Sequence, residues 1–218
     1  MRLQSAIFDM DGTLLDSMPM WRNLLNDFLR SQGRVVKSNL WEDVRPLTLL
    51  DTAVYMREVY KLHQPEDEIV SMIEERISNY YSKKARPKPG VEKFLSLLKM
   101  EGVWMYIATA TDRPLTEAGL KCAGIDGYFR GIVTCREAGA GKEKSADVYE
   151  RAMVRLHSNK KDTIIFEDSL AAIRTAKAAG FRVAGVYDAD CPGDQDEIRA
   201  IADYYIRSFE EMFTEQTL

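Results

Sequence analysis

The chain has 218 residues, of which 45% are hydrophobic and 29% are charged, and its formal net charge is -4 at pH 7. This balance provides no basic surface for nucleic acid or an anionic membrane, and no run approaches the roughly 18 apolar residues of a membrane helix. The three cysteines, Cys122, Cys135 and Cys191, lack metal-ligand spacing and disfavour a disulfide framework. Residues 1–10 reach an aspartate too early for a signal peptide. We therefore expect a reduced cytoplasmic protein without nucleic-acid or membrane partners, and a monomer fits.

The first half of the chain reads as one strand followed by helices. Residues 3–8 form an apolar run typical of a buried strand, and residues 17–32 repeat apolar side chains at helical spacing. Residues 48–62 and 66–83 also have helical periodicity and no strand character. The proline- and glycine-containing stretch 86–90 then punctuates the chain. The segment between the first strand and this stretch is therefore predicted to be all-helical.

The second half alternates helices and strands. The predicted elements are, in order, a helix at 91–100, a strand at 103–109, a helix at 114–122, a strand at 131–135, a helix at 145–156, a strand at 163–166, a helix at 170–179, and strands at 182–187 and 204–206. Such alternation predicts an α/β fold with a mostly parallel, Rossmann-like sheet flanked by helices. The all-helical segment would then be an insertion beside the carboxyl end of the first strand.

Chemically active side chains follow several of these strands. The set is Asp9 and Asp11 after the first strand, Thr109 and Thr111 after the second, Lys142 and Lys144 before a helix, and Glu167 and Asp168 after a later strand. Because parallel strands end at one edge of a sheet, these residues can meet there. Clustered carboxylates repel one another unless a cation lies among them, and an all-oxygen set suits Mg²⁺. Magnesium held in this way commonly takes a phosphate ligand, so the residues predict phosphoryl chemistry.

Three motifs resemble a known family. FDMDGTLLDS at 8–17, IATATDR at 107–113 and FEDSLAAIRTAKAAG at 166–180 occur in this order, with a lysine before a helix between the last two. Together they resemble the haloacid dehalogenase superfamily, and within it the β-phosphoglucomutase-like phosphatases, which carry a helical cap after the first motif. The resemblance implies a catalytic core of residues 1–15 and 87–218 and a helical cap domain of residues 16–86.

The resemblance also implies a role for each motif acid. Asp9 matches the nucleophile, which attacks phosphorus to give an aspartyl phosphate. Asp11 matches the general acid and base, which protonates the leaving oxygen and later deprotonates the attacking water. The implied Mg²⁺ ligands are Asp9, the backbone carbonyl of Asp11, Glu167 and Asp168.

The remaining motif residues would contact the phosphoryl group. Thr109 matches the hydroxyl that hydrogen-bonds it, and we expect the adjacent Ala110 to contact the substrate as well. Family members commonly place a lysine four residues before an aspartate, whereas here Lys142 lies five residues and Lys144 three residues before Asp147. Lys142 is preferred because it follows a flexible glycine-containing run, and Lys144 is the alternative.

Specificity is expected in the cap. Arg45 is the only arginine of the stretch WEDVRPLTLL, where relatives place a substrate-contacting loop, and its guanidinium suits a second phosphate or a carboxylate. An equally weighted alternative pairs Arg45 with Glu42 or Asp43. Relatives that are β-phosphoglucomutases carry a histidine where this chain has Trp21, which favours a phosphatase over a mutase.

We therefore predict a Mg²⁺-dependent phosphatase that acts on a small phosphorylated metabolite, namely a sugar or polyol phosphate. The first alternative is an isomerase that transfers a phosphoryl group between sugar hydroxyls, as β-phosphoglucomutases do. The second is a binding or regulatory module without turnover. A missing motif acid would favour the second alternative, and none is missing.

Overall fold

Six strands form one parallel sheet in the computed structural model, which describes residues 3–44, 47, 49–190 and 192–213. In chain order they are β1 Ser5–Phe8, β2 Trp104–Thr109, β3 Ile132–Thr134, β4 Thr163–Glu167, β5 Arg182–Val186 and β6 Tyr204–Ile206. The spatial order is β3-β2-β1-β4-β5-β6, and every neighbouring pair is parallel. The predicted α/β fold with a parallel sheet is confirmed.

Helices connect these strands throughout the described part of the chain. The α-helices are α1 Met18–Ser31, α2 Leu40–Val44, α3 Leu49–Tyr60, α4 Glu66–Lys83, α5 Val91–Met100, α6 Arg113–Cys122, α7 Cys135–Ala138, α8 Asp147–Arg155, α9 Leu170–Ala178 and α10 Gln195–Ile201. Short 3₁₀ turns occupy Asp126–Tyr128, Lys160–Asp162, Pro192–Asp194 and Phe209–Phe213. No described helix combines the length and apolar character needed to cross a membrane.

Three short helices have no counterpart in the sequence prediction. The expected cap loop at 41–50 contains most of α2 and the start of α3, α7 follows β3 directly, and α10 lies between β5 and β6. Helices of 5, 4 and 7 residues display too little of the 3.6-residue repeat to be separated from loops. For α7 a usable signal exists, because Thr134 and Glu137 form a capping box at its start.

The sheet is buried on both faces. Successive residues of β1 show this, because they alternate between two hydrophobic clusters that lie on opposite faces. Ala6 and Phe8 belong to a cluster shared with α5 and the helices of the inserted segment, whereas Ile7 belongs to a cluster shared with α8 and α9. Phe8 stacks on Phe166 of β4 with ring centroids 4.4 Å apart. Burial on both faces is the reason that the strands read as apolar runs rather than alternating ones.

The two places where the chain enters and leaves the helical segment lie side by side. The backbone amide of Asp16 donates to the carbonyl of Arg86 at 3.0 Å, and the amide of Lys88 donates to the carbonyl of Leu14 at 2.8 Å. Inside the segment, α4 buries one side chain per turn: Ile69, Ile73, Ile77 and Tyr81. This stripe brings the last turn of α4 to the carboxyl end of β1 and places Tyr81 next to the motif acids.

Candidate active site

The register of the sheet brings the three motifs to one edge. Phe8 of β1 lies opposite Ile107 of β2 on one side and Phe166 of β4 on the other. The residues that follow these strand ends are therefore neighbours, and the amide of Asp9 donates to the carbonyl of Phe166 at 2.9 Å. Sequence reasoning places the motifs together because parallel strands end on the same side of the sheet.

A buried lysine lies between two of the acids. Nζ of Lys142 is 2.6 Å from Oδ1 of Asp9, and it donates to Oε1 and Oε2 of Glu167 at 2.9 and 3.2 Å. Burial alone would lower the pKa of Lys142, but the charges of Asp9 and Glu167 outweigh it and raise the pKa well above its ordinary value. Lys144 instead has a 79% exposed side chain, 4.0 Å from Glu143. The structure therefore brings Lys142, and not Lys144, to the motif acids.

Three carboxylates form a compact buried cluster. Asp9, Glu167 and Asp168 each offer an oxygen, and these atoms all lie within 4.8 Å of one another. Burial, followed by the charge of Asp9, raises the pKa of Glu167 well above its ordinary value and that of Asp168 to about 7. Burial also raises the pKa of Asp9. When all three acids are ionised, a single ammonium leaves surplus negative charge among hard oxygen donors, and this donor set fits a divalent cation such as Mg²⁺.

Gly12 allows the first motif to approach the last one. Its φ of +81° lies in the left-handed region, and a Cβ at this position would lie 2.3 Å from Oδ2 of Asp168. The next residue uses this proximity, because the hydroxyl of Thr13 donates to Oδ1 of Asp168 at 2.8 Å. The Gly-Thr pair of the first motif therefore holds Asp168 in place.

The carboxylate of Asp11 is not part of the acid cluster and accepts three hydroxyl hydrogen bonds. Ser17 and Tyr81 each donate to its Oδ1 at 2.6 Å, and Thr111 donates to its Oδ2 at 2.6 Å. Ser17 and Thr111 lie inside the motifs, so the sequence held a signal for them. Tyr81 is fully buried in the last turn of α4, and its hydroxyl also accepts from the indole N–H of Trp21 at 3.2 Å. No motif identified Tyr81.

Of the residues predicted to contact the substrate, Thr109 and Ala110 lie at the cleft and Arg45 is not described. Thr109 is buried, and its Oγ1 accepts the amide hydrogen of Thr111 at 3.1 Å. Ala110 is exposed and lines the cleft beside it. Arg45, the expected specificity residue, lies outside the described residues, so its predicted contact stays a prediction.

A cleft of about 590 Å³ opens over the motif residues, between the sheet edge and the helical segment. One side, here called the phosphoryl end, consists of Asp9, Asp11, Thr109, Lys142, Glu167 and Asp168. The opposite side, here called the cap wall, consists of Met18, Trp21, Leu49, Glu74 and Ile77. A larger open groove of about 1130 Å³ beside α8 and β3 contains none of the phosphoryl-end residues, so size does not mark the site here.

Comparison with known proteins defines the class. A family model for the haloacid dehalogenase-like hydrolases matches residues 6–186. The chain therefore belongs to this family, as its motifs predict. A phosphorylated carbohydrates phosphatase of Thermotoga maritima is 23% identical over 185 residues, which cover 84% of this chain and 85% of the relative. A phosphoglycolate phosphatase of Agrobacterium fabrum is 26% identical over 187 residues, which cover 83% of this chain and 79% of the relative.

Solved structures share the fold. A Thermotoga maritima crystal structure provisionally assigned as a β-phosphoglucomutase has a TM-score of 0.83 at 22% identity and covers 96% of both chains. CbbY from Rhodobacter sphaeroides, in complex with phosphate, has a TM-score of 0.76 at 22% identity and covers 97% of this chain and 96% of its own. Family membership and the relatives named as phosphatases confirm the prediction of a phosphoric monoester hydrolase of the haloacid dehalogenase superfamily.

Proposed function

We propose that this protein is a Mg²⁺-dependent phosphatase that hydrolyses a small sugar or polyol phosphate through an aspartyl-phosphate intermediate on Asp9. The observation that carries the proposal is the placement of Asp9, which is buried, lines the cleft, and lies 2.6 Å from the Lys142 ammonium and within the carboxylate cluster. A nucleophilic carboxylate beside fixed positive charge is the arrangement that attack on an anionic phosphate requires.

In the first half-reaction a carboxylate oxygen of Asp9 forms a bond to phosphorus, while the bond from phosphorus to the ester oxygen breaks. Asp11 transfers its proton to that oxygen, and the alcohol leaves. In the second half-reaction a water oxygen attacks phosphorus and gives its proton to Asp11. The acyl phosphate then breaks, which releases inorganic phosphate and restores the Asp9 carboxylate.

Charge at the phosphoryl end would be balanced from two sources. Lys142 neutralises part of the negative charge of Asp9 and Glu167, and it would hold the phosphoryl oxygens after they arrive. Mg²⁺, when bound by Asp9, the carbonyl of Asp11, Glu167 and Asp168, would supply further positive charge against the repulsion between nucleophile and phosphate.

We further propose that residues 16–86 act as the cap and that residues 1–15 and 87–218 act as the core. The paired crossings at Asp16–Arg86 and Leu14–Lys88 would serve as the hinge between them. Opening would admit substrate, and closure would exclude bulk water from the acyl phosphate. Cytoplasmic location and the monomeric state stay predictions.

The test is hydrolysis of p-nitrophenyl phosphate with Mg²⁺ by wild type, Asp9→Asn and a matched control, Asp16→Asn. Asp16 lies in the same stretch, but its side chain is exposed and does not line the cleft, and its contact with Arg86 at the proposed hinge is made by backbone atoms that the substitution retains. We expect Asp9→Asn to lose at least about 10³-fold in kcat, because the amide is a poor nucleophile. Asp16→Asn should keep wild-type turnover. Turnover that survives Asp9→Asn would refute Asp9 as the nucleophile.

The mutase is the alternative that product analysis separates. The position where mutases carry a histidine is occupied by Trp21, whose indole N–H donates to Tyr81 and cannot act as a base. With β-glucose 1-phosphate as substrate we expect free phosphate. Glucose 6-phosphate as the main product would favour the isomerase, and the absence of any turnover across phosphate monoesters would favour a binding module.

A further inference from the structure

The cap wall carries one carboxylate, Glu74 of α4. It is exposed and lines the cleft, three residues before Ile77 and seven before Tyr81. Residues at this spacing lie on the same side of a helix, so the exposed Glu74 borders the buried stripe that ends at Tyr81, whose hydroxyl donates to Asp11. Two helical turns separate Glu74 from Tyr81, a rise of about 10 Å. Glu74 therefore lies where the far end of a small phosphate ester would reach.

The charges around the cleft make Glu74 distinctive. Two other outer acids that line the cleft have cationic neighbours, since Asp112 is 3.1 Å from Arg136 and Glu143 is 4.0 Å from Lys144. Glu74 has no ion pair or hydrogen bond with the described residues. Lys142, the one cation of the described cleft lining, already contacts Asp9 and Glu167 and belongs to the phosphoryl end.

We propose that Glu74 is a specificity-determining residue that selects monophosphates with hydroxyl groups at the far end and rejects esters with a second phosphate there. The inference rests on the proposed phosphatase function. A free carboxylate accepts hydrogen bonds from sugar or polyol hydroxyls, and ionised acceptors make the stronger ones. The same carboxylate repels a second phosphate, and at contact distance this repulsion persists even though Glu74 is exposed. Trp21 and Ile77 beside it offer apolar surface for the carbon skeleton.

The test compares glucose 6-phosphate with glucose 1,6-bisphosphate, which differ only by the second phosphate. For each compound kcat/KM is measured, and any compound that is not turned over is measured as an inhibitor of p-nitrophenyl phosphate hydrolysis. The enzymes are wild type, Glu74→Gln, Glu74→Lys and the control Glu75→Gln. Glu75 is the exposed neighbour on α4 that does not line the cleft.

We expect wild type to favour the monophosphate by about tenfold or more in kcat/KM or in affinity. Glu74→Gln should reduce this ratio, mainly through KM for the bisphosphate, Glu74→Lys should reduce it further, and Glu75→Gln should leave it unchanged. A wild-type preference for the bisphosphate overturns the inference, and so does an equal ratio in all four proteins. If wild type does not hydrolyse p-nitrophenyl phosphate at all, the proposed phosphatase function itself is refuted. Failure of the Glu74 inference and failure of the proposed function therefore give different results.

Discussion

The two sides of the cleft are built differently. At the phosphoryl end, Asp9, Lys142, Glu167 and Asp168 are nearly inaccessible to solvent and touch one another through charged groups. The cap wall is more exposed and mostly apolar, with Glu74 as its only described charge. Buried charges tolerate little change, because each depends on its partner for neutralisation, whereas exposed side chains can be exchanged at small cost. The contrast suggests that the reaction is fixed by the sheet edge and the substrate by the helices.

The largest expected effect tests whether the phosphoryl end depends on its buried cation. Lys142→Met leaves Asp9 and Glu167 without their shared partner, and we expect the free energy of unfolding to fall by about 3–5 kcal/mol. Lys144→Met removes an exposed charge and should change stability by less than about 0.5 kcal/mol. Urea denaturation of both variants without metal measures the difference. Equal stabilities would contradict the assignment of Lys142 to the buried cluster.

A smaller effect is expected from the metal. If the acid cluster binds Mg²⁺ in the folded state alone, Mg²⁺ at 100 times its Kd should add about 2.7 kcal/mol to the free energy of unfolding. Asp168→Asn removes one of the three clustered carboxylates and should lose most of this gain. Asp16→Asn should retain it. Urea denaturation with and without Mg²⁺ gives the result, and an equal gain in Asp168→Asn would place the metal elsewhere.

The smallest effect concerns Tyr81, which connects the two sides through its hydrogen bond to Asp11. Tyr81→Phe removes one of the three donors that hold the carboxylate of Asp11, the proposed general acid and base, and we expect kcat for a sugar phosphate to fall by about tenfold because Asp11 is then less well oriented. The loss should be smaller for p-nitrophenyl phosphate, because its leaving group needs little protonation. A stability cost of about 1 kcal/mol is expected as well.

The matched control is Tyr80→Phe. The hydroxyl of Tyr80 donates to the carbonyl of Asp16 and has no hydrogen bond to Asp11, so the two variants differ in the contact under test. Tyr80→Phe should therefore keep the wild-type kcat on both substrates. If Tyr81→Phe loses kcat equally on both substrates, or if Tyr80→Phe shows the same loss as Tyr81→Phe, then Tyr81 acts through folding rather than through Asp11.

The same contrast separates what the sequence could predict from what it could not. Asp9, Thr109 and Glu167 were predictable as neighbours, because each lies at or directly after the carboxyl end of a parallel strand and these ends share one edge. The choice between Lys142 and Lys144 was not determined by spacing alone, since loop geometry decides which ammonium is buried. Tyr81 was not predictable, because its contact with Asp11 depends on how α4 packs against the sheet edge.

Element prediction followed a similar division. The bounds of α4 and α5 agree with the predicted helices, because each has several turns of regular apolar spacing. The prediction missed α2, α7 and α10, which are too short for such spacing. Arg45 lies outside the described residues, so its predicted contact with a second phosphate or a carboxylate and its alternative pairing with Glu42 or Asp43 both stay predictions. A wild-type preference for the bisphosphate in the Glu74 test would favour the contact with a second phosphate.

The most direct test of the central claim is to identify the residue that becomes phosphorylated. Wild-type protein is mixed with Mg²⁺ and a substrate, quenched in acid during turnover, reduced with borohydride and analysed by peptide mass spectrometry. An aspartyl phosphate is reduced to homoserine, so we predict this conversion at Asp9, dependent on substrate and absent in Asp9→Asn. Turnover with no conversion at Asp9, or with conversion at Asp11 instead, would contradict the account.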